Sequence, residues 1–289
     1  MDRDVLISTV RLYGKRAGYP EEAIVSLAES AGCLPDRALA YLSALVSEYK
    51  TSTKLTYETQ TAFEGLAEPV HCYPAQMLFY MALLPALEEK YAEKKLSSAY
   101  FDRVLFDLRA KLLECHTVYG IWGSFVAIWF ARFFNFTLYG IGRLEFAPHH
   151  VECDYEGQGV KLQKGEKAID VHIPSGAPLP HDEVMRSYRA AAEFFDCRVF
   201  VCESWLLYPA NRTLFAGCPN LTAFFADYDV WEEGEDRGDL WRIFGAAHEN
   251  APEALPRDTA LRLAYAEHLS KGLPVGWGKG VFVLSEKEC

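Results

Sequence analysis

AIDVHIPSGAPLPHDEVMRSYRAAAEFFDCRVFVCES, residues 168–204, decides how the rest of the chain is read. Apolar Ile169, Val171 and Ile173 alternate with Asp170 and His172, and Pro174 then breaks the run. A period of two is the mark of a half-buried strand. His181–Phe195 has the spacing of a helix, and Arg198–Leu207 reads as a second strand. Strand, helix, strand implies a right-handed crossover between neighbouring strands. Residues two apart on a strand share a face, so Asp170 and His172 lie side by side. Such a pair is either a poised base with its orienting carboxylate or polar decoration of a wet face.

Outward from this unit, the second half keeps a mixed character. TLYGIGRLEF (137–146) alternates around glycines and predicts a strand, and 149–174 predicts two or three strands joined by Gly-rich turns. LTAFFADYDV (221–230) predicts another strand and GVFVL (280–284) the last. DTALRLAYAEHLSKG (258–272) is a helix capped by Asp258 or Thr259 and stopped at Gly272. The first half is helix after helix. Leu42, Leu45, Val46 and Tyr49 share one helical face, as do Phe101, Val104, Leu105, Leu108 and Leu112. Pro20, Pro35 and Pro74 mark helix starts, and Gly18 and Gly32 mark ends. GIWGSFVAIWFARFFNF (120–136) predicts a buried helix; its apolar run before Arg132 is short of the roughly 20 residues that cross a bilayer. The fold expected is α+β with two domains: an all-helical domain over 1–135 and a mixed α/β domain over 136–289.

At 289 residues, half of them hydrophobic, the chain has enough apolar side chains for two cores. With 29 basic and 40 acidic residues the net charge is −11, which argues against nucleic acid and anionic membrane surfaces as partners. Eight cysteines without a CxxC pair, behind a charged amino terminus with no signal-peptide pattern, predict reduced thiols and a cytoplasmic location.

Val199, Val201, Glu203 and Trp205 share a face of the second strand, with Glu203 ending an apolar run where desolvation would raise its pKa. Glu203, or His172 beside it, is then a candidate base; alternatively both, with Asp170, face solvent. Arg143 and Glu145 sit two apart in GRLEF, as an anion clamp or a cross-strand pair. His149, His150 and Cys153 fall short of a four-ligand set, so no metal is expected. Gly-Trp-Gly-Lys-Gly (276–280) is an anion cradle or a turn into the last strand.

GRLEF, VHIPSGAPL, VFVCESWLLYP and LPRDTALRLAYAEHLSKG, in this order over 137–284, resemble the bacterial acyltransferase-domain proteins, which pair a helical amino-terminal domain with a GNAT-like carboxy-terminal domain. The resemblance implies transfer of an acyl group from acetyl-CoA or another acyl-CoA to an amine of a small molecule or protein. It makes Glu203 the catalytic base with His172 its rival, and puts the coenzyme where the strands flanking the crossover helix part. Ser175 and Gly176 are then the coenzyme-binding positions. Arg143, Glu145, Asp170, Ser204 and Trp205 are the substrate-binding ones. The family's usual pyrophosphate loop is not matched, since Ser175-Gly176-Ala177 holds one glycine and Asp182 and Glu183 open the helix. The alternative is a non-catalytic ligand-binding or assembly protein on the same fold.

Overall fold

Asp2 accepts the amide of Asp4, and Gly18 takes the left-handed conformation (φ 72°); between these two caps lies α1, Arg3–Ala17. α2 (Glu21–Gly32), α3 (Asp36–Thr51), α4 (Tyr57–Ala67), α5 (Cys72–Glu93) and α6 (Ser98–Tyr119) follow; the side chains of Thr56, His71 and Ser97 cap the starts of α4, α5 and α6. The structure, a computed structural model, describes residues 1–51 and 54–285. It divides into two units, Met1–Tyr139 and Gly140–Cys289.

In the first unit α5 is apolar nearly all round, so it is the helix that the others bury: α1, α2, α3, α4 and α6 all pack on it. The stripe expected on α6, from Phe101 to Leu112, is buried throughout. One expectation fails here. Residues 120–136 are not one helix: Gly120 ends α6 in the left-handed region, the chain bends, and only a 3-10 turn (Ala127–Phe130) and α7 (Ala131–Phe134) follow. A Cβ on Gly123 would collide with the Tyr73 carbonyl, so the segment lies flat on the start of α5. Ser124 donates its amide to that carbonyl at 3.1 Å. Phe130, Phe133 and Phe134 are buried, whereas Trp122, Phe125 and Trp129 are half-buried and form no fully exposed patch. Among the described residues no helix is long and apolar enough to cross a membrane.

The second unit is built on a six-stranded sheet in the order β1-β2-β5-β6-β8-β7. The strands are β1 (Tyr139–Ile141), β2 (Leu144–His150), β5 (Lys167–His172), β6 (Val199–Ser204), β7 (Asp229–Glu235) and β8 (Gly276–Val283); β3 (Tyr155–Gly157) and β4 (Val160–Leu162) form a separate hairpin. β5 and β6 run parallel, joined by α8 (His181–Phe195), as the opening stretch predicts. After β6 come α9 (Asn211–Leu214), α10 (Pro219–Asp227), α11 (Trp241–Phe244) and α12 (Ala260–Ser270). α8 covers one face, where Tyr188 packs on Phe200 and Phe282 at 4.8 Å each. The β3–β4 hairpin covers part of the other, closing a core of Val151, Tyr155, Leu162, Ala168, Val201 and Val281. Gln158 pins the hairpin's turn by donating to the Val281 carbonyl (3.3 Å) and accepting the Val283 amide (2.8 Å).

Two further expectations are corrected. LTAFFADYDV is not a strand; Pro219 sits in the first turn of α10, which runs to Asp227, and strand begins only at Asp229. Gly-Trp-Gly-Lys-Gly is neither a turn nor an anion loop. It is the first half of β8, paired with β6 on one side and β7 on the other.

Candidate active site

The β5–β6 ladder pairs Ile169 with Phe200 and Asp170 with Val201 and goes no further, although β5 reaches His172 and β6 reaches Ser204. The parallel strands therefore part at their carboxyl ends. Asp170 and Val201 are level and share a face, so His172 and Glu203, each two residues on, are level on that face too. Register carries the row across the sheet: Glu145 pairs with His172, Lys279 with Glu203, and Glu232 with Lys279. Glu145, His172, Glu203, Lys279 and Glu232 thus stand abreast on five strands. The hairpin stops short of this row.

His172 holds its Nε2 2.7 Å from Asp170 Oδ2, with both side chains about three-quarters buried (24% and 25% exposed). The pair that the sequence places side by side is thus a bonded dyad. Glu145, next to it on β2, is buried. Glu203 differs from expectation: its side chain is 57% exposed, so the desolvation expected at the end of an apolar run is not there. Its neighbour is Lys279, at 3.7 Å.

Lys279 is buried and also in direct contact with Glu152, from the loop between β2 and β3. Burial alone would pull its ammonium down. The Glu152 hydrogen bond and the charges of Glu152, Glu203 and Glu232 outweigh that and hold it above the ordinary lysine value. In turn the Lys279 bond holds the Glu152 carboxyl below the usual range.

Other predicted positions take structural roles. Arg143 is not on a strand face beside Glu145; it lies in the turn between β1 and β2. Its Nε donates to the Pro178 carbonyl at 2.7 Å and its Nη2 to the Ala177 carbonyl at 2.8 Å. It braces the loop from β5 to α8, which contains half-buried Ser175 and exposed Gly176 (φ 83°). Ser204 accepts the Leu206 amide at 3.2 Å, capping a 3-10 turn. Trp205 is in that turn, off the strand, and packs edge-on against Phe215 and Tyr265. Asp182 and Glu183, in the first turn of α8, are engaged by Arg186 at 2.8 and 4.0 Å.

On the α8 face of the parting strands, Cys202 is fully buried, and burial with the Asp170 and Glu203 charges keeps its thiol far up and protonated. The Tyr188 and Tyr228 hydroxyls meet there at 2.7 Å. Tyr228 also lines a cleft of about 240 Å³ with Asn211, Arg212, Thr222, Phe225 and Ala226. His181 ties the start of α8 to Asp227, the last residue of α10, at 2.9 Å. Among the described residues no group of three or more potential ligands could hold a metal ion.

The family model of the GNAT-like C-terminal domain matches residues 138–282, and that of the N-acyltransferase N-terminal domain matches 13–136. The chain belongs to the acyltransferase family with a GNAT-like C-terminal domain. Its architecture, helical first and GNAT-like second, is the family's. Solved acyltransferase structures share the fold. One, in complex with decanoyl-CoA, is 19% identical over 96% of this chain and 99% of its own, with a TM-score of 0.67. Two others, in complex with decanoyl-CoA and teicoplanin and with CoA and 10C-teicoplanin, are each 19% identical over 96% of this chain and 88% of theirs, at a TM-score of 0.71. No curated protein matches the chain by sequence.

Glu152 and the Tyr188–Tyr228 pair are site neighbours that sequence reading misses, and Lys279, read there as part of a glycine-rich cradle or turn, belongs instead to the strand row. Lys279, Val281 and Val283 do alternate, but the glycines around Lys279 mask the strand.

Proposed function

We propose that this protein transfers an acyl group from an acyl-CoA to an amine of a small acceptor molecule, with His172 as general base and Asp170 as its orienting carboxylate. The observation that carries the proposal is the 2.7 Å dyad at the point where two parallel strands part. Parted strands leave backbone amides and carbonyls facing each other across a gap, which suits the amide-bearing arm of a CoA thioester. The acyl-CoA complexes of the structural neighbours support that donor, and the teicoplanin complexes support a small-molecule acceptor. The first turn of α8 would meet the CoA phosphates with its two carboxylates already engaged by Arg186.

In the step proposed, the acceptor ammonium gives one proton up, and that proton reaches His172 Nδ1, the ring nitrogen Asp170 does not hold. The amine nitrogen forms a bond to the thioester carbonyl carbon, the carbon–sulfur bond breaks, and the second proton shed by that nitrogen goes to the sulfur, so that CoA leaves as a thiol. Asp170 fixes the ring and stabilises the imidazolium. Glu203, exposed and facing Lys279, is placed to attract the acceptor ammonium rather than to take its proton.

The test is transfer from C2 to C12 acyl-CoA thioesters to a panel of primary amines, followed by product mass. His172→Asn should lower turnover by about 10²-fold or more, the usual worth of a general base, and Glu203→Gln by far less. The opposite order would return the base to Glu203. Thermal stabilisation by acyl-CoA without any transfer would favour a binding protein on this fold.

A further inference from the structure

The acyl-transfer step leaves one feature unused: the cleft of about 240 Å³ walled by α9, α10 and Tyr228. It is smaller than the roughly 300–1,000 Å³ of a pocket that takes a whole ligand, so it suits one end of a longer molecule. Its lining carries a single charged side chain, Arg212, and that charge is positive in a chain of net charge −11. The acids nearby are turned away. Asp227, between Ala226 and Tyr228 in the chain, gives its carboxylate to His181 at 2.9 Å, and Asp229 gives its own to the Tyr155 hydroxyl at 2.9 Å.

Arg212 is exposed, with its guanidinium carbon 5.3 Å from the centre of the Phe225 ring. Among the described residues no carboxylate or carbonyl takes a bond from that guanidinium. Arg186, Arg242 and Arg262, in the same unit, each hold a carboxylate three or four residues away. The backbone that carries Arg212 is fixed. Asn211, fully buried, donates from Nδ2 to the Trp205 carbonyl at 2.6 Å and accepts the Tyr265 hydroxyl at 2.5 Å. Thr222 directs its hydroxyl to the Phe215 carbonyl at 2.9 Å. The cleft therefore offers apolar walls from Phe225, Ala226 and Tyr228 and one anchored guanidinium at its edge, a fork that matches phosphate. Because His181 opens α8 and bonds Asp227, the cleft adjoins the first turn of α8, where the acyl-transfer reading puts the CoA diphosphate. Beyond its diphosphate, CoA continues into a ribose that bears a 3′-phosphate and adenine. We infer that this cleft receives the 3′-phosphoadenosine end of the donor, with Arg212 on the 3′-phosphate, and that it selects acyl-CoA over acyl groups carried on phosphopantetheine alone.

The inference rests on the acyl-CoA donor of the proposed function, and binding measured without an acceptor tests it apart from the chemistry. Titration calorimetry at fixed ionic strength compares octanoyl-CoA, octanoyl-dephospho-CoA, which lacks the 3′-phosphate, and octanoyl-4′-phosphopantetheine, on wild type and Arg212→Met. Wild type should bind octanoyl-CoA about tenfold more tightly than octanoyl-dephospho-CoA, and the phosphopantetheine donor most weakly. Arg212→Met should bind octanoyl-CoA and octanoyl-dephospho-CoA alike, at the wild-type affinity for the latter. Wild type that binds the two equally overturns the inference without any variant, and so does a preference that survives in Arg212→Met. Equal binding together with transfer from octanoyl-CoA to an amine overturns this inference alone. An Arg212-dependent preference with no transfer to any amine upholds the cleft assignment and overturns the acyl-transfer reading. Wild type that binds no octanoyl-CoA overturns both.

Discussion

Replacing Arg143 by Met tests whether the guanidinium is a brace or a ligand clamp. In the structure it bonds the carbonyls of Ala177 and Pro178, and its own backbone amide donates to Ser187 Oγ at 2.8 Å. The amide bond survives the substitution; the two side-chain bonds do not. Bonds to a charged donor contribute about 1.5–3 kcal/mol each, so about 3–6 kcal/mol is the ceiling. Ala177 and Pro178 are exposed, so water replaces the lost donor and the expected loss is nearer 2–3 kcal/mol. That loss falls on the loop and the first turns of α8 rather than on the sheet. Amide hydrogen exchange should therefore quicken by about 30- to 150-fold over Ser175–Ala177, Leu179 and His181–Ser187, with β6 and β8 unchanged. Arg143→Lys should not rescue, because one ammonium cannot reproduce the forked geometry. Octanoyl-CoA affinity should weaken only as far as the loop loosens. If acyl-CoA binding is lost while exchange over these amides stays as in wild type, the arginine contacts the ligand directly and the brace is refuted.

Gly278→Ala should destabilise the second unit by about 1–3 kcal/mol in urea unfolding, since a Cβ there would enter the Leu207 carbonyl. Gly32→Ala, with nothing within 4 Å, should be neutral or slightly stabilising, and equal effects would undo the steric argument. In the helical unit, burial alone would raise the Glu88 carboxyl, but bonds from Arg16 (2.5 Å) and Tyr13 (2.7 Å) bring it below its ordinary value. A lowered folded-state value stabilises above the unfolded value of 4.5 and is lost as pH falls through the folded one. The Tm difference between pH 6 and pH 3.5 should therefore be smaller in Glu88→Gln than in wild type. The change should be under about 1 kcal/mol because the pair is over a third exposed; identical differences would refute it.

What sequence could reveal follows from where periodicity is unambiguous. α8 has a strong apolar stripe, two prolines before it and acids in its first turn, so its presence and bounds are legible, and with it the crossover. The Asp170–His172 pairing is legible because side chains two apart on a strand must meet. LTAFFADYDV is misread because a short apolar run suits helix and strand alike, and Pro219, the signal for a helix start, lies just outside the quoted stretch. Residues 120–136 are apolar without a face, which marks burial but not conformation. The exposure of Glu203 is illegible for another reason. An apolar run along one strand says nothing of where the covering layer ends, and the β3–β4 hairpin covers Val199 and Val201 but not the next residue on that face.

The glycines of β8 show how a signal for a turn can instead fix a site. In a strand a slip of one residue moves every side chain to the opposite face. A slip of β8 would turn Lys279 toward α8 and remove the one ammonium from the row of carboxylates. Backbone closeness prevents the slip: a Cβ at Gly276 would enter the Gly234 carbonyl, one at Gly278 the Leu207 carbonyl, and one at Gly280 would lie 2.9 Å from the Asp229 carbonyl. Every second residue must therefore lack a side chain, and the residues between them take the opposite face of the sheet, the face that carries the dyad. Trp277 and Lys279 fall on that alternate set, and Lys279 meets Glu203 because β6 is held in the same register from Val199 to Ser204. The glycine cluster makes no anion cradle here. It sets the register that brings a buried ammonium level with His172.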